Sequence, residues 1–100
     1  MTLKIKWTHE AKSQFKEILN YWEERNGSRI YSRKLIKLFD KAVVRLASYP
    51  EMGRMTDNHR IRLKIIRNYF LYYSFDESKI VVLGVFDMRR DPDYLKSMLK

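Results

Sequence analysis

The chain of 100 residues contains no cysteine and only three glycines. Without cysteine, disulfide scaffolds, cysteine-ligated zinc and thiolate catalysis are excluded, and a reducing cytoplasm is the expected compartment. None of the glycines lies in a GxGxxG or GxxxxGK[ST] pattern, so the sequence has no nucleotide-binding loop. The two histidines show no HExxH-type spacing, and we therefore expect neither a metal nor a cofactor.

Long hydrophobic runs are also lacking. The longest, Ile80–Phe86, is about a third of a membrane span and is typical of a buried strand. The N-terminus, residues 1–6, has no apolar run of signal-peptide length. The composition is 45% hydrophobic and 14% aromatic, which indicates a packed core rather than a disordered tail. We therefore expect one soluble, cytoplasmic domain spanning residues 1–100, with no membrane partner.

Acidic residues are scarce relative to basic ones. Lys and Arg number 21 against 12 Asp and Glu, which gives a net charge of +9. Such an excess destabilises a compact fold through self-repulsion unless a partner uses it. Nucleic acid, an acidic protein or an anionic membrane surface could be that partner, and a generic basic surface that favours solubility is the alternative.

The first half of the sequence predicts one strand and a pair of helices. Residues Leu3–Trp7 alternate between apolar side chains and lysine, as a half-buried strand does. Thr8 is a candidate N-cap for a first helix, and Gly27 is a candidate left-handed C-cap. Ser28 can cap a second helix, which Pro50 ends. The apolar stripe of this second helix comprises Tyr31, Leu35, Leu38, Phe39, Ala42, Val43 and Leu46.

The second half predicts a loop followed by strands. Glycine, proline and Asx residues indicate a loop over 50–58, and alternation or continuous apolar runs indicate the strands. The predicted order is a strand at Arg60–Ile65, a turn at Asn68, a strand at Tyr69–Phe75, a hairpin loop at Asp76–Lys79 and a central strand at Ile80–Phe86. Asp91 and Pro92 then begin a short terminal helix.

These elements predict an α+β fold of order β-α-α-β-β-β with a short C-terminal helix. The strands joined by tight loops should form an antiparallel sheet, with the helical hairpin packed on one of its faces. The central strands are apolar on both sides. We therefore expect the second face to be covered at least in part, by the terminal helix or by a bound partner.

The clearest candidate site is a basic strand. Arg60, Arg62 and Lys64 are spaced to project from one face, and arginine donates two hydrogen bonds at once to phosphate. A solvated sheet face with ordinary surface cations is the alternative. Further candidates close by in sequence are Arg54, His59 and Arg67, with Tyr69, Tyr72 and Tyr73 as residues that could stack on bases.

A second candidate segment, Asp87–Pro92, places Arg89 and Arg90 where the last strand ends. Strand ends often carry functional groups, but the two arginines could equally pair with neighbouring aspartates. His59 could act as an acid or base near the basic strand. His9, by contrast, is expected to be an exposed residue of the first helical turn.

Several short motifs follow one another along nearly the whole chain: Ile5–Thr8, Ala11, Ile18, Tyr21-Trp22, Tyr49–Gly53, Ile66–Tyr73 and Ile80–Pro92. Through these motifs the sequence resembles the RelE/ParE toxin superfamily. The similarity is carried by the order and spacing of several short motifs rather than by any one of them. The resemblance implies the β-α-α-β-β-β fold and a role as the toxin of a type II toxin–antitoxin pair. It also implies a cognate acidic antitoxin.

The resemblance leaves the target open. RelE-like members cut messenger RNA on the ribosome, whereas ParE-like members inhibit DNA gyrase. If this chain were a ribonuclease, its similarity to RelE would assign catalysis to Arg62, Lys64, Arg67, Arg89 and Tyr94. For either target, the residues expected to bind nucleic acid or the target protein are Arg54, His59, Arg60 and Arg90. However, Tyr69 stands where the ribonucleases carry an arginine, and the ending Val85–Pro92 is closer to ParE-like members. We therefore expect a gyrase inhibitor rather than a ribonuclease. A plain nucleic-acid-binding module is the third alternative.

Overall fold

The computed structural model describes residues 2–88, in which two helices pack on one face of a five-stranded sheet. This is the predicted α+β fold, with one additional short strand. Within this range no helix is long and apolar enough to cross a membrane. The predicted terminal helix at Asp91 lies outside the described residues. In chain order the elements are β1 (Lys4–Trp7), α1 (His9–Asn26), α2 (Ile30–Ser48), a 3₁₀ helix (Pro50–Met52), β2 (Arg54–Met55), β3 (Arg62–Ile66), β4 (Tyr69–Phe75) and β5 (Lys79–Asp87).

The two helices are delimited by short polar residues and by glycine. The hydroxyl of Thr8 accepts a hydrogen bond from Ala11 N at 3.0 Å and so satisfies a free N–H group of the first turn of α1. Gly27 ends α1 with a φ of 61°, a conformation that glycine adopts without steric cost. The prediction that Ser28 is the N-cap of α2 is wrong by one residue, because Arg29 holds that position. The Ser28 hydroxyl instead accepts from Ile30 N at 3.1 Å.

The sheet has the strand order β1-β5-β4-β3-β2. Strands β3, β4 and β5 form the predicted antiparallel meander. The first strand, β1, pairs parallel with β5, with Ile5 opposite Ile80 and Trp7 opposite Val82. The helical hairpin supplies part of the long connection that parallel strands require. The sheet is therefore mixed, with β5 as a central strand and β1 at one edge.

The predicted bounds of the basic strand are corrected by the structure. The strand begins at Arg62 rather than at Arg60, which lies in a turn. The side chain of Asn58 accepts from Arg60 N at 3.0 Å, and the Thr56 hydroxyl donates to Ile61 O at 2.8 Å. These local hydrogen bonds hold the backbone in a turn instead of a ladder. The predicted loop at 50–58 also contains the 3₁₀ helix and β2.

Apolar side chains are buried on both faces of the sheet. On the helix side, Leu35, Phe39 and Leu46 of α2 pack against Leu71 and Val82 of the sheet, and all five are fully buried. The opposite face carries a smaller cluster of buried residues, Leu63, Phe70 and Tyr72, with Ile61, Leu83, Phe86 and Met88 partly buried around them. The two-sided apolar strands were predicted to be covered on both faces, and the centre of the second face is indeed buried.

Candidate functional site

The predicted basic residues are divided between the two faces of the sheet. In β3, Arg62 pairs with Tyr73 and Lys64 pairs with Leu71, and both partners belong to the cluster beneath the helices. Paired residues point to the same face, so these two cations are on the helix side. Arg54 of β2 pairs with Leu63 of the opposite cluster and therefore lies on the other face.

Arg62 has a structural partner in the segment that precedes β2. Its Nη1 atom donates hydrogen bonds to Glu51 O and Gly53 O, both at 2.9 Å. The guanidinium also lies 6.0 Å from the centre of the Phe75 ring. These contacts satisfy backbone carbonyls near the 3₁₀ helix and direct the side chain towards that segment. Arg62, which the sequence predicts as a catalytic cation, therefore stabilises the segment around Gly53.

The described residues do not bring the predicted catalytic set together. Arg67 is exposed in the turn between β3 and β4, where it has a φ of 56°. Arg62 is at the other end of β3, and five residues of strand correspond to about 16 Å. Lys64 lies between them and is partly exposed. The remaining predicted residues, Arg89, Arg90 and Tyr94, lie outside the described residues.

The prediction that tyrosines of β4 stack on bases is corrected by their burial. Tyr69, Tyr72 and Tyr73 are 1%, 3% and 0% exposed, so their rings belong to the two clusters of the sheet. The Tyr69 hydroxyl accepts from Trp22 Nε1 at 2.7 Å. Sequence reasoning missed the burial of these tyrosines because β4 is apolar on both faces. A tyrosine within such a run can lie either in the core or on a surface.

Tyr73 connects β4 to the segment around Gly53. Its hydroxyl donates to Pro50 O at 2.7 Å and accepts from Gly53 N at 2.9 Å. Burial raises the pKa of the Tyr73 phenol, while the hydrogen bond from Gly53 and the charge of Arg62 oppose that rise. A Cβ atom at position 53 would collide with the Tyr73 hydroxyl. Glycine is therefore required there by close approach, and the motifs Tyr49–Gly53 and Tyr69–Tyr73 meet in space.

His59, Arg60 and Arg62 line a groove of about 650 Å³. Two of its apolar lining residues, Ile61 and Leu83, belong to the cluster on the sheet face away from the helices. His59 and Arg60 are exposed in the turn before β3. Across the groove lies Lys79 at the start of β5, and Ile61, Val81 and Leu83 supply aliphatic surface. The groove brings cations together with apolar surface, an arrangement suited to binding an anionic ligand.

Two further lysines lie on the strand next to this groove, and sequence reasoning missed their position. In the parallel pairing of β1 with β5, Lys4 is opposite Lys79 and Lys6 is opposite Val81. Both lysines are exposed and share the face of their partners. Their alternation was visible in the sequence. The pairing that places them next to the groove joins residues about 75 positions apart, and no local pattern reports it.

A smaller cleft of about 300 Å³ lies beside α1 and near the end of β5. It is lined by aromatic and charged side chains. Arg25 lies 5.7 Å from the centre of the Trp22 ring and donates to the Tyr21 hydroxyl at 3.0 Å. Asp87, considered above as a pairing partner of the arginines that follow it, also lines this cleft. Within residues 2–88 no group of three or more His, Asp or Glu side chains could hold a metal ion.

Comparison with solved structures identifies a shared fold. A chain titled "Chromosomal ParDE TA system from P. aeruginosa" has a TM-score of 0.72 and 14% sequence identity to this chain. The match covers 86% of this chain and 96% of that chain. At this identity the similarity shows the fold alone. A search of the curated proteins found no match.

The sequence itself identifies the family. The profile of the family described as "ParE toxin of type II toxin-antitoxin system, parDE" matches residues 5–92. The chain therefore belongs to the ParE toxin family. The resemblance to the wider RelE/ParE superfamily is confirmed, and this match lies in its ParE branch.

Proposed function

We propose that this ParE-family toxin inhibits DNA gyrase by binding and has no catalytic activity of its own. The observation that carries the proposal is the separation of the predicted catalytic cations. A ribonuclease must place an acid, a base and cations around one phosphate. Here Arg62 donates to Glu51 O and Gly53 O at one end of β3, while Arg67 lies at the other end.

Position 69 supports the same proposal. Similarity to the ribonucleases would require an arginine there, and this chain has a tyrosine that is 1% exposed. Its hydroxyl accepts from Trp22 Nε1 at 2.7 Å beneath α1. A buried phenol at this position cannot supply positive charge to a transition state, and the loss of one such group commonly costs about 3–4 kcal/mol in catalysis.

The proposal includes a cognate acidic antitoxin, acting in the cytoplasm, that neutralises the toxin. The net charge of +9 favours such a partner, because an acidic protein would relieve the self-repulsion of the toxin and speed its own association. Family membership supports this pairing, since the family is defined as the toxins of type II toxin–antitoxin systems.

The direct test is ATP-dependent supercoiling of a relaxed plasmid by purified gyrase, titrated with the purified protein. We expect supercoiling to stop at a near-stoichiometric ratio of toxin to gyrase. Relaxation of the same plasmid by a type I topoisomerase is the control and should be unaffected. A parallel reaction with translating ribosomes and a defined messenger should leave the messenger intact.

The two reactions discriminate the remaining alternatives. Cleavage of the messenger without inhibition of gyrase would replace the proposal with a RelE-like ribosome-dependent endoribonuclease. In that case substitution of Arg89 or Tyr94 by Ala should abolish cleavage. Inhibition of both topoisomerases would indicate simple coating of the plasmid by a basic protein, which is the behaviour of a plain nucleic-acid-binding module.

A further inference from the structure

The segment between α2 and β3 exposes a cluster of large apolar side chains. Tyr49, Met52 and Met55 are 65%, 38% and 61% exposed, and we call these three residues the Tyr49 patch. The other exposed large hydrophobic residues of the described chain are spread over β1, α1, α2 and β3. Isolated exposed hydrophobic residues are ordinary, whereas a cluster of them marks an interaction surface.

The backbone beneath the Tyr49 patch is held by side chains of the sheet. The Tyr73 hydroxyl bonds to Pro50 O and Gly53 N at 2.7 and 2.9 Å. Arg62 Nη1 donates to Glu51 O and Gly53 O, both at 2.9 Å. A segment that is already ordered loses little conformational entropy when a partner binds to it. The fold therefore presents the patch in a fixed geometry.

The three side chains of the patch belong to one surface, where α2 meets the edge of the sheet. Tyr49 and Met52 line a groove of about 590 Å³ at the C-terminal end of α2. Met55 pairs with Arg62 across β2 and β3 and so projects on the side of the sheet that carries the helices. Met52 and Met55 are three residues apart, which is at most about 11 Å of chain.

The border of the patch carries positive charge. Lys37, Lys41 and Arg45 are exposed on α2 at a spacing of four residues, which places them along one side of the helix. Arg45 lines the same groove as Tyr49, together with one acid, Glu51. A complementary partner surface is therefore apolar at its centre and carries carboxylates on the side that faces α2.

We propose that the Tyr49 patch is the surface through which this toxin binds gyrase, and that it contacts a gyrase protein subunit rather than DNA. The identity of the partner rests on the proposed function, whereas the chemistry of the contact rests on the patch. Tyrosine, methionine and arginine are enriched in protein–protein interfaces. Contacts to DNA go mainly to phosphates, which exposed methionines do not bind.

Hydroxyl-radical footprinting of the full chain locates the contact directly. The purified protein is oxidised alone, with purified gyrase in the absence of DNA, and with a DNA duplex in the absence of gyrase. We expect gyrase to slow the oxidation of Met52 and Met55, because their sulfur atoms become buried. The duplex should leave both rates unchanged. Oxidation of Tyr21, which is exposed on α1, is the internal reference.

A double variant tests how much the patch contributes to affinity. Tyr49→Ser with Met55→Ser should weaken the binding of gyrase about tenfold or more, since large side chains at an interface centre carry most of the binding energy. The toxin concentration that halves supercoiling should rise by a similar factor. The matched control is Tyr21→Ser with Ile30→Ser, at positions that are 49% and 69% exposed, and it should change neither quantity. Thermal unfolding of both variants verifies the fold.

A second pair of variants tests the charged border. Lys37→Gln with Lys41→Gln should slow association with gyrase and reduce its salt dependence, with little change in the dissociation rate. Lys12→Gln with Lys16→Gln removes the same charge at the same spacing from exposed positions of α1. That control should slow association less. Equal slowing by both pairs would remove the carboxylate border from the proposal.

Footprinting and supercoiling together keep this proposal apart from the proposed function. If the wild type and the Tyr49/Met55 variant inhibit gyrase equally, the patch is not the contact and only this proposal fails. Protection of Met52 and Met55 by the duplex but not by gyrase would assign the patch to DNA and would also overturn it. If gyrase protects both methionines while supercoiling continues, the patch binds gyrase and only the proposed function fails. Without protection and without inhibition, both proposals fail.

Discussion

At the scale of single residues, Tyr73 ties two distant segments together. Its ring is buried in the helix-side core, and its hydroxyl bonds to Pro50 O and Gly53 N. Arg62 binds Gly53 O from the same side. These interactions explain why a tyrosine, a glycine and an arginine far apart in sequence belong to one structural unit, and why Arg62 is not a free surface cation.

We predict that Tyr73→Phe destabilises the fold by about 1–3 kcal/mol, because it leaves a buried N–H and C=O without their partner. The raised pKa adds a pH dependence. In the unfolded chain the phenol of Tyr73 ionises near pH 10, whereas in the folded protein it stays neutral to a higher pH. Its contribution to the free energy of unfolding is therefore complete below pH 10. That contribution is lost as pH rises through the pKa of the folded state. The difference in free energy of unfolding between the wild type and Tyr73→Phe, measured by urea unfolding, should therefore shrink between pH 8 and pH 11.

The control for this prediction is Tyr21→Phe, because Tyr21 is exposed on α1. That variant should unfold nearly as the wild type does. A Tyr73→Phe variant as stable as the wild type would contradict the role of the hydroxyl, even if the crowding of Gly53 were correct.

At the scale of secondary structure, the turns are held by side chains that accept backbone hydrogen bonds. Thr8 begins α1, Asn58 shapes the turn before β3, and Asp76 closes the β4–β5 hairpin. These residue types favour turns and caps because their short polar side chains reach nearby N–H groups. Since such signals are local, the bounds of α1 could be predicted from the sequence. The hairpin loop was predicted one residue too long, because Lys79 already belongs to β5.

Asp76 makes the hairpin sensitive to acid. Hydrogen bonds from Ser78 N and Lys79 N lower the pKa of its carboxyl below the usual 3.8. Because the pKa of Asp76 is lower in the folded protein than in the unfolded chain, its ionised carboxylate stabilises the fold at pH values above the unfolded pKa. This contribution is lost as pH falls through the pKa of the folded state. We predict that Asp76→Asn is less stable than the wild type at pH 7 and that the two converge on acidification to about pH 2.

Thermal unfolding from pH 7 down to pH 2 measures this convergence. The exposed Asp40 of α2 supplies the control, since Asp40→Asn should show no comparable pH-dependent difference. A constant gap between wild type and Asp76→Asn at every pH would mean that the charge of Asp76 is not what stabilises the hairpin.

At the scale of the whole molecule, the dominant property is the net charge of +9. Cations lie on both faces of the sheet and along the exposed sides of the helices. Such a charge distribution repels itself within the compact state and attracts anionic partners. We therefore expect the isolated toxin to have a lower free energy of unfolding than it would have without this repulsion.

We predict that added sodium chloride raises the melting temperature of the isolated protein by a few degrees, because salt screens this repulsion. A variant with Lys16, Lys34 and Lys37 changed to Gln, which lowers the net charge from +9 to +6, should show a smaller rise. These three lysines are exposed on the helices. A melting temperature that falls with salt in the wild type would mean that attractive ion pairs outweigh repulsion.

The sequence by itself determined the α+β class, the helical hairpin, the β3–β5 meander and membership of the toxin superfamily. These follow from caps, turns, periodicity and motif order, all of which act over short stretches of chain. Only the tertiary structure decided the parallel pairing of β1 with β5 and the face on which each cation lies. Because β4 and β5 are apolar on both sides, alternation cannot indicate which face receives the helices. The choice of face buried Tyr69 and Tyr73 beneath the helices and turned Arg62 towards Gly53. The parallel pairing of β1 with β5 placed Lys4 and Lys6 beside Lys79 and Val81.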